Sequence, residues 1–472
     1  MELETEPVSP TGQYFTSSVI SIAVIAVLET QHPIDDSQTT SLLQNVFLPI
    51  SPRFSSLMVQ DKDGSKRWKK VEVKVDEHVN FPIYPQGQST EFYDKCLSDY
   101  LSKIAMEPFP HSRPLWEIHI FKYPTRAAAG NLIFKLHHAL GDGYSLMGAL
   151  LSCLQRADNP AVPLTFPSLN PNQNEARAGA KTSFHGGVCR YLSKVIGTVQ
   201  DFGWSLLKSS VVEDDKTPIR SGDDGVEFRP ITVSTVSFSI DRVKQVKSNL
   251  NVTINDVICG VLFLGIRMYM QSMNAKQRNA EATSLVLLNT RNIGGYKTVS
   301  EMVEPEAESP WGNQFAFLHV SVPKLAAGDD DIKNPLSFVM DARKMIKRKR
   351  NSAAVVLTGK LLDTLRKWRG PEVTAKYIHS TLKNTSMTIS NIMGPMERMS
   401  LSNQPIKGFY FMVVGVPQSL TITMVSYMGE MRVALGTENG LIDAPKFKSC
   451  IQKAFDLIFK AAVTDLSSIT IT

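Results

Sequence analysis

His137-His138-Ala139-Leu140-Gly141-Asp142-Gly143 lies between Asn131–Leu136 (NLIFKL) and Ser145–Arg156 (SLMGALLSCLQR). The first flank reads as a half-buried strand with side chains to alternate faces, and the second has the three-and-four spacing of a helix. Gly141 and Gly143 oppose a helix running through the heptapeptide, because glycine loses the most backbone freedom when it is fixed. His138 and Asp142 therefore need not share a helical face. The segment reads as a tight strand-to-helix loop, shaped by Gly141 and Gly143 and supported by His137. It presents the His138 imidazole to a cavity while the Asp142 carboxylate turns back to hold the loop against a buried arginine.

On the N-terminal side, Val19–Leu28 (VISIAVIAVL) is rich in β-branched residues and reads as a buried strand. Val71–Val75 (VEVKV) and Trp116–Phe121 (WEIHIF) alternate with period two and also read as strands, with a helix over Glu91–Ala105 between them. On the C-terminal side, residues 157–187 are rich in Pro, Asn, Gly and Ala and read as a linker. Val188, Leu192, Val195, Val199, Phe202 and Leu206 then fall on one face of a helix. It reads either as a crossover helix packed on the body or as an interfacial membrane helix, with Arg190, Lys194 and Lys208 off the stripe. A second polar linker covers Glu213–Phe228.

From Ile231 a new α/β unit begins. Strands are expected at Val233–Ile240, Ser284–Leu288, Phe315–Val322, Ser386–Ile392, Phe409–Val414, Leu420–Tyr427 and Met431–Leu435. Helices are expected at Asn255–Met270, Pro335–Lys349 and Pro445–Ala461. The expected architecture is thus α/β, in two halves with mixed sheets: residues 1–180, a crossover over 181–230, and residues 231–472.

The chain has 472 residues, 43% of them apolar and 20% charged, which excludes disorder as a description of the whole. A net charge of +6 is compatible with an anionic surface or substrate and too weak for a nucleic-acid binder. The five cysteines are odd in number and widely spaced, without a C-x-x-C pair, so neither a disulfide framework nor a zinc site is expected. No metal site accompanies the adjacent histidines either. Glu2, Glu4 and Glu6 oppose a secretory signal, and no run of 18 apolar residues marks a membrane span.

HHALGDG resembles the HHxxxDG motif of the CoA-dependent acyltransferase superfamily. Further segments narrow the likeness: EPVSP at 6–10, RPLWEIHIF at 113–121, INDVICG at 254–260, WGNQF at 311–315 and SNIMGP at 390–395. Together they are similar to the plant wax ester synthase/diacylglycerol acyltransferase family, in order along nearly the whole chain. The resemblance implies two chloramphenicol-acetyltransferase-like domains with the active site in a tunnel between them. It implies acyl-CoA as co-substrate, no bound cofactor, and a long-chain alcohol or diacylglycerol as acceptor. His138 is then the general base, an imidazole being able to take a hydroxyl proton near neutral pH.

The resemblance also marks Asn255 and Asp256, and Ser390, Asn391, Gly394 and Pro395, as substrate-side candidates. It suggests Arg291 as the partner of Asp142. Trp116 and Pro114 read as structural. It draws the location toward the cytosolic face of the endoplasmic reticulum membrane, with the plasma membrane as a second site. Asp201–Ser205 (DFGWS) nearly matches a signature of BAHD acyltransferases but lies only about sixty residues after the histidines, and is read as coincidence. The basic run Arg343–Arg350 reads as a solvated helix end, with anionic lipid and CoA phosphates as other readings. A BAHD-like transferase acting on a soluble alcohol, or a catalytically idle lipid-binding relative, are the competing functions.

Overall fold

The computed structural model describes residues 5–61, 65–162, 164, 198–290, 302, 311–326 and 333–469. Two large mixed sheets organise them. The first has seven strands in the order Val79–Asn80, Trp116–Phe121, Gly130–His137, Ala23–Thr30, Gln404–Val414, Met399–Leu401, Gln155–Arg156. The second has six: Phe315–Ser321, Thr283–Asn289, Met387–Ile392, Leu420–Tyr427, Glu430–Glu438, Ile231–Ser239. A small antiparallel sheet of Thr5–Pro7, Lys66–Lys70 and Ser56–Gln60 flanks the first.

Each large sheet carries its own apolar core. The first core is anchored by Trp116, which is fully buried and donates Nε1–H to the Phe54 carbonyl at 2.8 Å, the structural role its strand position suggests. The second is built round the helix Ile254–Met273, closed at its start by a capping box between Thr253 and Asp256. This helix is long and apolar enough to cross a membrane, but 78% of its apolar window is buried inside the fold. The halves are not separate in sequence. Gln404–Val414 returns to pair with Ala23–Thr30 in the first sheet.

Most expected strands form at or near the expected residues, and Trp116–Phe121 and Leu420–Tyr427 form with the bounds read from the sequence. Val71–Val75 does not. The strand is Lys66–Lys70; after one further bond, from Val71 N–H to the Ser55 carbonyl, VEVKV runs on outside the ladder into a short 3-10 turn. Its alternation is nevertheless real, since Val71 and Val73 are half-buried and Glu72 and Lys74 exposed; period two in burial does not require a ladder.

Of the expected crossover helix, residues 188–197 lie outside the described residues, and 198–210 are helical. That helix packs with its polar side inward. Asp201 is buried against Arg348 Nη2 (2.6 Å) and Lys349 Nζ (2.8 Å), and Lys208 against Asp214 (2.5 Å). Asp214 also accepts from Thr283 N–H, Thr283 Oγ1 and Ser386 Oγ. The lowering of the Asp201 carboxyl pKa by its two cations outweighs the opposing effect of burial. DFGWS therefore belongs to a structural ion-pair contact rather than to the histidine loop. Among the described residues, three helices of more than ten residues were not anticipated: Ile240–Leu250, Ala354–Arg369 and Pro371–Lys383.

Candidate active site

The strand Gly130–His137 ends on the first residue of the heptapeptide, and the helix Gly143–Ser152 begins on its last. His137 is fixed as part of the turn. Its Nδ1 accepts from the Ala139 amide (3.0 Å), so Nε2 carries the hydrogen and faces Ser21 Oγ at 3.2 Å. Burial, then the neighbouring His138, Lys66 and Lys135, lower its pKa to about 3, so this imidazole stays neutral.

His138 points the other way, into a cavity of about 240 Å³. Its ring stands edge-on to Phe15 (4.9 Å between centroids) and Phe315 (5.6 Å). Its Nδ1 lies 2.8 Å from Oδ1 of Asn313, whose Nδ2 donates to the His138 carbonyl at 2.9 Å. That carbonyl can only accept, so the Asn313 amide nitrogen must face it and Oδ1 must face the ring. Nδ1 is therefore the protonated nitrogen, and Nε2 offers its lone pair to the cavity. Burial holds the His138 pKa below the usual imidazole value, while the Asp142 charge and the Asn313 hydrogen bond oppose it.

Asp142 caps the following helix: Oδ1 accepts from Ser145 N–H at 3.0 Å. Its Oδ2 accepts from Gln314 N–H at 2.8 Å. Ser145 Oγ meets the Gly312 carbonyl and amide, and Trp311 Nε1 donates to Leu140 O at 2.9 Å. The segment 311–314, from the second half of the chain, is thus laced to the histidine loop of the first. Arg53 adds a further tie, donating to Leu140 O while paired with Glu6 of EPVSP at 2.6 Å. Gly141 is required by space: a Cβ there would lie 2.8 Å from Ser145 Cβ. A Cβ on Gly143 would lie 2.6 Å from Ile392 Cδ1, at the cavity wall.

Ser390 and Asn391 line the same cavity with Tyr144, Asn289 and an apolar set including Val24, Leu287, Phe315, Ile392 and Phe411. Gly394 and Pro395 do not line it. They form the buried turn beyond it, where a Cβ on Gly394 would collide with the Ser426 carbonyl. Asn255 reaches the rim only through Asn391, whose Nδ2 donates to its Oδ1 at 3.4 Å. Asp256 is committed to capping its own helix. Substrate contact by Asp256, Gly394 or Pro395 is therefore not what this geometry provides; they hold backbone. Arg291 lies outside the described residues.

Asn313, Gln314, Ser145 and Arg53 were not singled out from sequence. Asn313 sits inside WGNQF, and only its spatial relation to His138 shows what it does. Beside the main cavity, and sharing Val24, Gly143, Ile392 and Phe411 with it, is a small apolar pocket. It runs between the sheet and the helix Gly143–Ser152 to Ala26, Phe134, Met147 and Leu150. Among the described residues no group of His, Cys, Asp and Glu could hold a metal ion.

Residues 48–258 match the model of the wax ester synthase/diacylglycerol acyltransferase catalytic domain, and residues 311–459 that of the WS/DGAT C-terminal domain. Wax ester synthase/diacylglycerol acyltransferase 4 of Arabidopsis thaliana is 30% identical, over 94% of this chain and 87% of its own length. Wax ester synthase/diacylglycerol acyltransferase 6 of the same plant is 29% identical, over 94% and 90%. The fold matches that of the wax ester synthase/diacylglycerol acyltransferase from Marinobacter aquaeolei VT8, with a TM-score of 0.59, 16% identity, and 97% and 99% of the two chains covered. It also matches the first condensation domain of the calcium-dependent antibiotic synthetase, with a TM-score of 0.54, 11% identity, and 93% and 91% covered.

Proposed function

Because the chain belongs to the wax ester synthase/diacylglycerol acyltransferase family, we propose that it transfers a fatty acyl group from acyl-CoA to the hydroxyl of a long-chain alcohol or diacylglycerol. The observation that carries the mechanism is the fixed tautomer of His138. With Nδ1–H held by Asn313, Nε2 can take the hydroxyl proton as the alcohol oxygen attacks the thioester carbonyl. The C–O bond forms, the C–S bond breaks, and the imidazolium returns its proton to the departing thiolate. Asp142 acts through the loop: it keeps the imidazole and segment 311–314 in register. Ser390 and Asn391 stand at the cavity wall where the reacting head groups would meet. The apolar pocket between Ala26 and Leu150 suits an alkyl chain, since it offers no polar side chain to desolvate. Acyl-CoA is a co-substrate in this reading, and no resident cofactor takes part. Arg291 remains our candidate as a second partner of Asp142.

We further propose that the enzyme works at the cytosolic face of the endoplasmic reticulum membrane, and at the plasma membrane as a second location. Its substrates partition into bilayers, and the apolar helix Ile254–Met273 is occupied in the core. Purified protein given palmitoyl-CoA with hexadecanol, with diacylglycerol, or with a soluble phenolic alcohol tests the activity. Ester of the lipid acceptors is expected, and His138→Ala should lose at least about two orders of magnitude in rate. Preference for the phenolic alcohol, or near-normal turnover by the folded variant, would overturn the reading.

A further inference from the structure

The helix Ala354–Arg369 buries one of its sixteen residues, Ala354. Outward it shows Val356, Leu357 and Trp368, the last 83% exposed. Leu357 and Trp368 are eleven positions apart, about three helical turns, so they share a side, and Lys360, Lys367 and Arg369 stand beside them. The helix 198–210 lies alongside. Asp201 and Ser205 share a small cleft with Lys349, Ala354 and Thr358 over the strand Phe315–Ser321. This second helix spends its charged side chains inward, on Arg348, Lys349 and Asp214, and leaves Val199 and Leu207 exposed, with Val211 exposed just past its end. A helix packed on a globular body ordinarily does the reverse. Between residues 343 and 369 there are ten lysines and arginines and one acid, Asp363.

Exposed apolar side chains, a tryptophan and dense positive charge on adjoining helices complement one kind of partner, an anionic lipid surface. A second copy of the chain would set this surface, net positive even after Asp201 and Asp363 are counted, against its like. We propose that helices 198–210 and Ala354–Arg369 form the face by which the protein lies on an anionic bilayer. Trp368 sits at headgroup depth, and the basic side chains contact lipid phosphates. This rests on the reading that the enzyme works at a membrane. The same edge strand carries Phe315 at the catalytic cavity and Phe317–His319 under the two helices, so the face lies close to the site that its alkyl substrates must reach.

Flotation of the purified full-length protein with vesicles of phosphatidylcholine, alone or with phosphatidylserine, tests this. The expected result is binding strengthened by phosphatidylserine. Lys360→Gln/Lys367→Gln/Arg369→Gln should weaken binding to the phosphatidylserine vesicles about a hundredfold, from about fivefold per basic residue. Trp368→Ser should weaken binding to both vesicle types roughly tenfold. Both variants should retain vesicle-free transfer between a short acyl-CoA and a short alcohol, which shows that they fold. Three results would overturn the proposal: wild-type protein that does not float with phosphatidylserine, variants that float like wild type, or a wild-type dimer that Trp368→Ser breaks while no chain binds vesicles. Absent short-chain transfer alongside the expected flotation would instead remove the enzymatic reading and leave this face standing.

Discussion

Asn313 decides which nitrogen of His138 can act, and it does so without a charge. A carboxylate in that place would stabilise the imidazolium and raise its pKa; a neutral amide leaves burial dominant, so the base is free of its proton at neutral pH. The rate per unit substrate, kcat/KM, should therefore stay flat from pH 8 down through 6.5 and fall only below it. Asn313→Asp should move that acid limb upward by about one unit, and Asn313→Ala should lower kcat about ten- to hundredfold, or ~1.4–2.7 kcal/mol of barrier, with the limb less affected. A pH profile of kcat/KM with short-chain substrates reads both, and an unmoved limb in Asn313→Asp removes the residue from the base's environment. His137 predicts stability rather than rate. Its folded pKa of about 3 lies below the unfolded value near 6.5, so below pH 6.5 the unfolded chain takes up a proton that the fold refuses. The contribution is complete above pH 6.5 and is lost as the pH falls toward 3. Buried His319, lowered to about 4 by burial first and then by Lys349 and Lys208, adds in the same direction. Urea midpoints should decline steadily from pH 6.5 to 4, and His137→Gln should flatten that slope.

At the scale of elements, the loop, the helix after it and the segment 311–314 form one mechanical unit. Asp142→Asn still offers an oxygen to Ser145 N–H, but its amide nitrogen would then face Gln314 N–H, donor against donor. Asp142→Ala loses both bonds and the helix cap, costing about 1 kcal/mol for the cap and ~1.5–3 for the charge-assisted bond. Both variants should lose activity, and Asp142→Ala combined with Asn313→Ala should cost less than the sum of the singles, because they undo the same register. Additive losses would separate the two roles. A plug in the apolar pocket is a cleaner change: Ala26→Phe should depress transfer with palmitoyl-CoA or hexadecanol while sparing butyryl-CoA with butanol, and whichever long substrate suffers identifies the chain housed there. The strands and the loop were legible because local patterning and motif chemistry agree with the fold. His138 and Asp142 could be picked out from one heptapeptide. Asn313 could not, because it acts 175 residues from His138 and acquires its role only where the halves meet. Ala354–Arg369 escaped for a related reason: it buries too little for an apolar stripe to announce it, and Val355-Val356 favours a strand. In VEVKV the periodicity was sound and the inference to pairing was not.

The whole molecule is tied together by one strand out of sequence. Gln404–Val414 pairs with Ala23–Thr30 along nearly its full length, and Ala23–Thr30 pairs with the histidine strand Gly130–His137 on its other edge. The second sheet is bound to this strand pair in turn: Tyr427 donates to the Ile406 carbonyl of the crossing strand at 2.8 Å, and Arg432 pairs with Glu29 of Ala23–Thr30 at 2.5 Å. The strand that delivers His138 to the cavity is thus one strand removed from a segment of the other half. Residues 1–197 alone would leave Ala23–Thr30 (AVIAVLET) as an open apolar edge, a template for aggregation, and residues 198–472 would carry Gln404–Val414 without the strand it pairs with along most of its length. Expressed separately, each fragment should be insoluble or aggregated. Expressed together, with a tag on one, they should co-purify and recover transfer activity, because the pairing needs both chains but no bond between residues 197 and 198. The intact chain should unfold in a single transition followed by near-UV and far-UV signals alike. A soluble, monomeric 1–197 fragment with native strand content would show that the crossing strand is dispensable. Two separated unfolding transitions would show that the shared sheet does not couple the halves.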